Sequence, residues 1–373
     1  MEYWIWLSLL KGIGPITQKR LLQHFKTPTC IYESSEEELL SIAGIGPILA
    51  QSIREAHTLD GSFSILKELH KEGIKILSYG DPLYPDIAKE TADAPIVLYY
   101  KGILRENSAG VGIVGSRRCT GYGKQIAVEA AQYLAQHGIP VISGLAKGID
   151  GYAQTACLKA GGYTIAFLGN GLAVNYPKEH AALQAGIEEN GAVISEFLPA
   201  TKARPEHFPR RNALISSWSQ KLLVAEASMK SGALITAELS KALGREVLVP
   251  PHEIYSLNGK GTNGLLREGA TLYLEPSQLL FNDYSTGNNL GFYFLDHLEI
   301  IKKNENIIKG HPLNRDLTLA EKQIKTILMD SDKTIQEIGN LSGINQVKLM
   351  EHLSIMELEG LIESLAGGRF GLR

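Results

Sequence analysis

The chain reads as an α/β protein built on a doubly wound, mostly parallel sheet with helices on both faces. Three features predict this. Short, continuous apolar runs recur between residues 76 and 282, the mark of strands buried on both faces. Amphipathic stretches of helical period separate them, as crossovers between parallel strands require. Most of the 38 glycines fall at the ends of the apolar runs, where such a fold turns sharply.

The predicted strands are Ile76–Tyr79, Ile96–Tyr100, Val111–Val114, Val141–Ser143, Thr164–Leu168, Ala192–Ser195, Leu222–Ala225, Val247–Val249 and Thr271–Leu274. Helices are predicted between them, among others over Lys124–Gln136, Tyr152–Lys159, Lys178–Glu188 and Ala233–Ala242. Ligands of such sheets bind outside the carboxyl ends of the strands.

At 373 residues the chain exceeds what one core usually serves, so further domains are expected. Residues 1–75 read as helical, with two similar units, LKGIGP before ITQKRLLQHF and IAGIGP before ILAQSIREA. This is the helix-hairpin-helix pattern, whose glycines expose N–H groups at a helix start where a phosphate can sit. Few basic residues surround the second turn, which favours a packing role. Residues 76–282 form the α/β domain, and 283–315, polar around Leu290–Leu295, form a linker. Residues 316–373 read as helices at Ala320–Met329, Thr334–Leu341 and Asn345–Leu361 and a hairpin tipped by Gly367-Gly368, together a winged helix. Its third helix carries Glu351 and Glu357, followed by Glu359, a poor surface for a DNA groove, so contact with protein is favoured.

Composition excludes several classes. The three cysteines show neither disulfide nor metal spacing, so a reducing cytoplasm is expected. The apolar start MEYWIWLSLLKGIG lacks a basic flank and a cleavage site and reads as a core helix. No run of about 18 apolar residues occurs, so no membrane span is expected. The net charge of −3 means that any polyanion site must come from local clusters.

Such clusters sit at the predicted strand ends. GVGIVG at 110–115 matches the dinucleotide pattern formally, but its first glycines lie in the strand, and the next strand ends at Ser143-Gly144 with no acidic residue. The turn proper carries Ser116, Arg117 and Arg118, whose hydroxyl and guanidinium forks suit phosphate oxygens. The second strand ends in Ser143, Gly144 and Lys147, and the third in LGNGL with Asn170, followed by Lys178. Three such ends on one sheet edge make a polyanion site. The densest basic stretch, 201–212, interleaves Phe208 with Arg204, Arg210 and Arg211 before Asn212. Either it holds a single strand by stacking and phosphate contact, or Phe208 is a core anchor and the arginines are solvated. His180, His207 and His252 are isolated, and no metal or hydrolase motif occurs, so neither catalytic residue nor cofactor is expected. Asp150 and Glu196 are expected to orient loops or pair with the arginines.

The segments GSRRCTGYG, SGLAKGIDGYAQTACL, LGNGL, FPRRNALIS, VAEASMKSGALITA and GTNGLLREGA together resemble the DprA/Smf family of DNA-processing proteins, across most of residues 80–275. The resemblance implies an extended Rossmann-like domain that dimerises, binds single-stranded DNA and hands it to the RecA recombinase in natural transformation. Carried over by position, Ser116, Arg117, Lys147, Asn170 and Lys178 would form a pocket, with Phe208, Arg210, Arg211 and Asn212 as its strand-binding edge. Lys230–Thr236, with Ser231 and Thr236, would complete the rim. The chain departs from the family pattern at Gln154, Ser217-Trp218, Pro251 and Ala200. An alternative is a Rossmann-like nucleotide-processing enzyme that hydrolyses nucleoside monophosphates. Against it, Ser231–Glu238 lacks that signature's second glycine and its spaced glutamate. A third reading is a pure adaptor with vestigial DNA binding.

Overall fold

The computed structural model describes residues 1–106, 108–281, 317–365 and 368–372. The chain opens with six helices, α1 (Glu2–Leu9), α2 (Pro15–Phe25), α3 (Pro28–Glu33), α4 (Glu36–Leu40), α5 (Pro47–Glu55) and α6 (Asp60–Lys71). The two hairpin units fold alike. Gly14 and Gly46 cap α2 and α5, and each helix starts on a proline, whose missing N–H is not needed there. Their core, with Ile13, Leu21, Ile45 and Ile53, runs on into Val97, Ala166 and Val193 of the sheet.

The sheet has nine strands: β1 (Lys75–Ser78), β2 (Val97–Gly102), β3 (Gly110–Gly115), β4 (Val141–Ser143), β5 (Thr164–Phe167), β6 (Ala192–Ser195), β7 (Ser219–Glu226), β8 (Glu246–Val249) and β9 (Thr271–Leu272). Their order is β1-β2-β6-β5-β4-β3-β7-β8-β9. The pairings from β6 across to β9 are parallel, and β1 and β2 add an antiparallel edge. Every predicted strand lies on an observed one, and for the central parallel strands the reason is that a strand buried on both faces has no polar face to blur its apolar run.

The connecting helices are α7 (Asp86–Lys89), α8 (Gly121–Gln136), α9 (Ile149–Lys159), α10 (Ala181–Asn190), α11 (His207–Trp218), α12 (Gly232–Ala242) and α13 (Lys260–Arg267). Alternate residues of β3 divide between the two layers. Val111 and Ile113 meet Ala127, Ala131 and Ala153 of α8 and α9, while Val114 belongs with Leu214, Ile215 and Ala237 of α11 and α12. The glycines of the apparent dinucleotide pattern are packing residues. A Cβ at Gly110 would lie 2.1 Å from the Pro140 carbonyl oxygen, and one at Gly112 2.6 Å from Ser219 Oγ.

Two helices are hidden from sequence periodicity. Pro209 in the first turn of α11 looks like a breaker but is tolerated there. In α13, Gly261 suggests a loop, yet a Cβ would come within 2.6 Å of the Ser228 carbonyl oxygen, so close approach to the strand end requires it.

The last segment folds as α14 (Leu319–Asp330), α15 (Ile335–Ser342) and α16 (Gln346–Leu358), with β10 (Lys333–Thr334), β11 (Ile362–Leu365) and β12 (Arg369–Leu372) paired in the order β10-β12-β11. Capping boxes at Thr318/Glu321 and Thr334/Glu337 start the first two helices, and Ile324, Ile338, Leu349 and Met356 form their core. This is the winged helix. The expected linker at 283–315 and the Gly367 half of the wing tip lie outside the described residues.

Trp218 closes α11 and accounts for one departure from the family pattern. Its ring is fully buried, edge-on to Phe167 at 5.3 Å and 5.8 Å from Tyr84. Among the described residues its Nε1 has no hydrogen-bond partner. Trp218→Ala is therefore expected to cost about 3–5 kcal/mol, and Trp218→Phe only about 1–2 kcal/mol, in urea unfolding.

Candidate nucleic-acid interface

The strand order reverses between β3 and β7, the switch point at which doubly wound sheets open a crevice. A cleft of about 880 Å³ lies there. It is lined by the turn after β3, the start of α9, the first half of α11 and the turn from β7 into α12.

The β3 turn is held from beneath by Glu226 at the end of β7. Ser116 N–H donates to the Glu226 backbone carbonyl at 2.8 Å. The fully buried Glu226 carboxylate accepts the Thr120 N–H at 3.1 Å and the Thr120 hydroxyl at 2.5 Å. With this turn fixed, Arg117 and Arg118 are left exposed at the mouth.

The β4 turn is held by Asp150. Its Oδ2 accepts the N–H of Gly144 at 3.1 Å and of Ala146 at 3.4 Å, and lies 3.5 Å from Arg211 Nη1. Both side chains of the pair are buried. Burial pushes the Asp150 carboxyl up and the Arg211 guanidinium down, each opposed by its partner's charge. Gly144 leaves room for the pair, because a Cβ there would sit 1.0 Å from Arg211 Nη1 and displace the guanidinium. Gly148, at φ +77°, lets α9 start beneath Ser116, whose carbonyl would lie 2.3 Å from a Cβ. Leu145 takes the left-handed region at φ 53°. Its N–H donates to Gln154 Oε1 at 3.1 Å, and its carbonyl lies 3.0 Å from His180 Nδ1. Gln154, a departure from the family pattern, is thus a buried support for this strained residue.

Phe208 projects from the first turn of α11 and is half-buried. The Arg117 guanidinium carbon lies 5.4 Å from its ring centre and that of Arg211 5.8 Å, with the Tyr176 ring 5.9 Å away. Ser231 caps α12, accepting the Ala233 N–H at 3.3 Å, and Lys230 beside it is exposed. The cleft therefore offers a helix N-terminus as well as guanidinium groups to an anion.

The structure brings Ser116, Arg117, Arg118, Phe208, Arg211, Asn212, Ser231 and Thr236 into this one cleft. Gly144, Lys147 and Asn170 line a smaller adjoining pocket shared with Arg117, Phe208 and Arg211. Lys147 pairs with Glu179 at 3.0 Å, and the buried Asn170 donates to the carbonyls of Gly171 and Val174. Three predicted residues stand elsewhere. Ser143 is buried and donates to the Ile113 carbonyl at 2.7 Å, Lys178 is exposed but lines neither cavity, and Arg210 forms a two-point pair with Glu196 at 2.7 and 2.8 Å. Arg211 is a buried anchor, where sequence alone left the arginines solvated or strand-binding. Sequence reasoning passed over Glu226, whose only signal was a lone acid at the end of an apolar strand, and Asn258, which lies in no motif. Glu238, the one acid near the hydrolase-like segment, lines a different depression with Met229 and Ile254.

Removing one partner of a buried ion pair leaves an uncompensated charge, which costs far more than losing an exposed pair. Asp150→Asn is expected to lower stability by about 3–5 kcal/mol in urea unfolding, and Arg211→Met in the same chain to recover part of that loss.

Comparison with known proteins points the same way. The family of DNA recombination-mediator protein A matches residues 75–282, and a helix-hairpin-helix motif matches residues 6–70. Protein Smf of Synechocystis is 36% identical over 283 residues, covering 74% of this chain and 71% of that protein. The crystal structure of DNA processing protein A from Streptococcus pneumoniae superposes with a TM-score of 0.65 at 32% identity, over 76% of this chain and 99% of that one. DNA processing protein A from Helicobacter pylori, studied for its single-stranded DNA binding mode, superposes with a TM-score of 0.50 at 28% identity, over 55% and 93%. That family is one of DNA-binding recombination mediators and not of enzymes, and with the match spanning its α/β domain this chain belongs to the DprA/Smf family.

Proposed function

We propose that the protein binds single-stranded DNA in the cleft at the β3–β7 switch point and passes it to the RecA recombinase, protecting incoming strands during natural transformation. The observation that carries this is the half-buried Phe208 ring beside Arg117 in a cleft that the exposed Arg118 and Lys230 also line. Asp150 is the one carboxylate among its lining residues, and it is tied to Arg211. Guanidinium and ammonium groups take phosphates, a ring takes a base, and neither reads a sequence, which is how a single strand is held.

In this reading Arg117, Arg118 and Lys230 contact phosphates, with Ser116, Ser231 and the start of α12. Lys147 joins them by exchanging Glu179 for a phosphate. Phe208 stacks on a base, and Asn170 and Asn212 shape the walls. Lys178 and Arg210 extend the path at its edges. Arg211, Ser143, Gly144 and Thr236 hold the cleft in shape.

The working division is 1–75, 76–282, a linker at 283–315 and 316–373. The relatives named DNA processing protein A support a DNA-processing role. The homodimer implied by the family resemblance has an apolar surface available at Met229, Ile254, Tyr255 and Leu257, all strongly exposed beside α13. No helix among the described residues is long and apolar enough to cross a membrane.

The test is fluorescence anisotropy with labelled poly-dT and a duplex of equal length, across a salt series. A preference for the single strand is expected. Arg117→Glu should weaken binding and flatten the plot of log affinity against log salt by about 0.7 for each phosphate that is no longer neutralised. Phe208→Ala should cost about 1–3 kcal/mol with the slope unchanged. Equal affinity for both DNAs, or wild-type binding by Arg117→Glu, would remove the cleft from the reading.

A further inference from the structure

The third helix of a winged helix is the element that elsewhere enters a DNA groove. In this chain α16 is turned toward the α/β domain instead. Met350, Leu353, Ser354 and Glu357 stand at i, i+3, i+4 and i+7, one face of the helix, and that face lies against Lys124 of α8 and Tyr152 of α9. Lys124 Nζ is 2.5 Å from Glu357 Oε1, 3.4 Å from Ser364 Oγ of β11 and 5.0 Å from the centre of the Tyr152 ring. Glu357 Oε1 also accepts the Ser364 N–H at 3.1 Å, and Ser354 lines the same small cleft as the Tyr152 side chain. The ion pair is well shielded, with side chains 24% and 15% exposed.

The position of this contact gives it a consequence for DNA. Thr120, the N-cap of α8, ends the turn that carries Arg117 and Arg118, and Lys124 is one helical turn further on. A docked winged helix thus neutralises the next cation after the cleft's own arginines. Among the described residues the seam rests on one ion pair, the Lys124–Ser364 hydrogen bond and a few apolar side chains, and it keeps a cleft of about 110 Å³. Seams of this make-up resemble transient interfaces, which open and close.

We propose that the winged helix is an intramolecular cap: its third helix is occupied by the α8–α9 face, Glu357 masks Lys124, and release of the cap adds Lys124 to the single-strand path. The second half of this rests on the single-strand reading above, and the first half does not.

The test uses the full chain with Glu357→Gln and with the charge swap Lys124→Glu/Glu357→Lys. Side-chain amines are labelled with an acetyl ester, and the rate at Lys124 is compared by mass spectrometry with that at the exposed Lys230. In the wild type Lys124 should react several-fold more slowly than Lys230, and Glu357→Gln should close most of that gap. On poly-dT, Glu357→Gln should bind about threefold more tightly and steepen the salt slope by about 0.7, one further phosphate neutralised. The charge swap, which restores the pair without freeing a lysine at position 124, should show no such gain. Wild-type labelling of Lys124 as fast as Lys230 would overturn the docking. Faster labelling in Glu357→Gln with unchanged affinity and slope would overturn the masking. If the wild type does not bind poly-dT at all, the proposed function fails, and the labelling rates still decide the docking.

Discussion

Everything at the cleft depends on how Asp150 divides its bonds. One carboxylate oxygen takes two backbone N–H groups of the β4 turn and faces the Arg211 guanidinium from α11. The β4 turn, the start of α9 and the distant α11 are thereby fixed at one point. Arg211 is one turn along α11 from Phe208, so anchoring the arginine also sets the ring, and Arg117 lies against that ring. A charge pair this deep is a poor source of net stability, because both ions lose their hydration. It does make any other arrangement of the turn costly, which is what a binding surface made of loops requires.

The same principle sorts the arginines and lysines. Net charge is slightly negative, so the chain has ample carboxylates to cancel its cations. Glu196 takes Arg210, Asp150 takes Arg211, Glu179 takes Lys147 and Glu357 takes Lys124. Arg117, Arg118 and Lys230 stand exposed at the mouth of the cleft, and the carboxylate nearest the β3 turn, Glu226, faces inward and is occupied by Thr120. On the proposed reading, selectivity for a polyanion there comes from where the carboxylates point and not from an excess of positive charge.

This explains what the sequence could and could not disclose. Most of the nine strands were legible because burial on both faces leaves an uninterrupted apolar run, and the strand-end loops because their glycines and cations stand together. Arg210 and Arg211 were not separable, since adjacent residues on a helix differ only in the side they face, and that side depends on where α11 lies. The helix itself was obscured by Pro209, tolerated only because of its place in the first turn. Trp218 and Gln154, departures from the family pattern, looked like sources of doubt. One fills the space beneath the sheet and the other supports the left-handed Leu145, so both belong to the scaffold. Glu226 gave almost no signal, because its role is a contact between β7 and a turn 106 residues earlier.

The arrangement also favours holding over reacting. A catalytic acid or base needs a titratable group with access to substrate and a proton to exchange. In the cleft the buried carboxylate is engaged through one oxygen by two N–H groups and a guanidinium. His180, whose imidazole burial holds below the usual histidine range, is turned to the Leu145 carbonyl behind the loop. The groups that face outward are guanidinium, ammonium, hydroxyl and ring. On the single-strand reading proposed above, they meet a backbone of phosphates in the same way at every step along it. On the reading proposed above, a surface of that kind lets a strand be taken up and handed on without being altered, as a mediator requires.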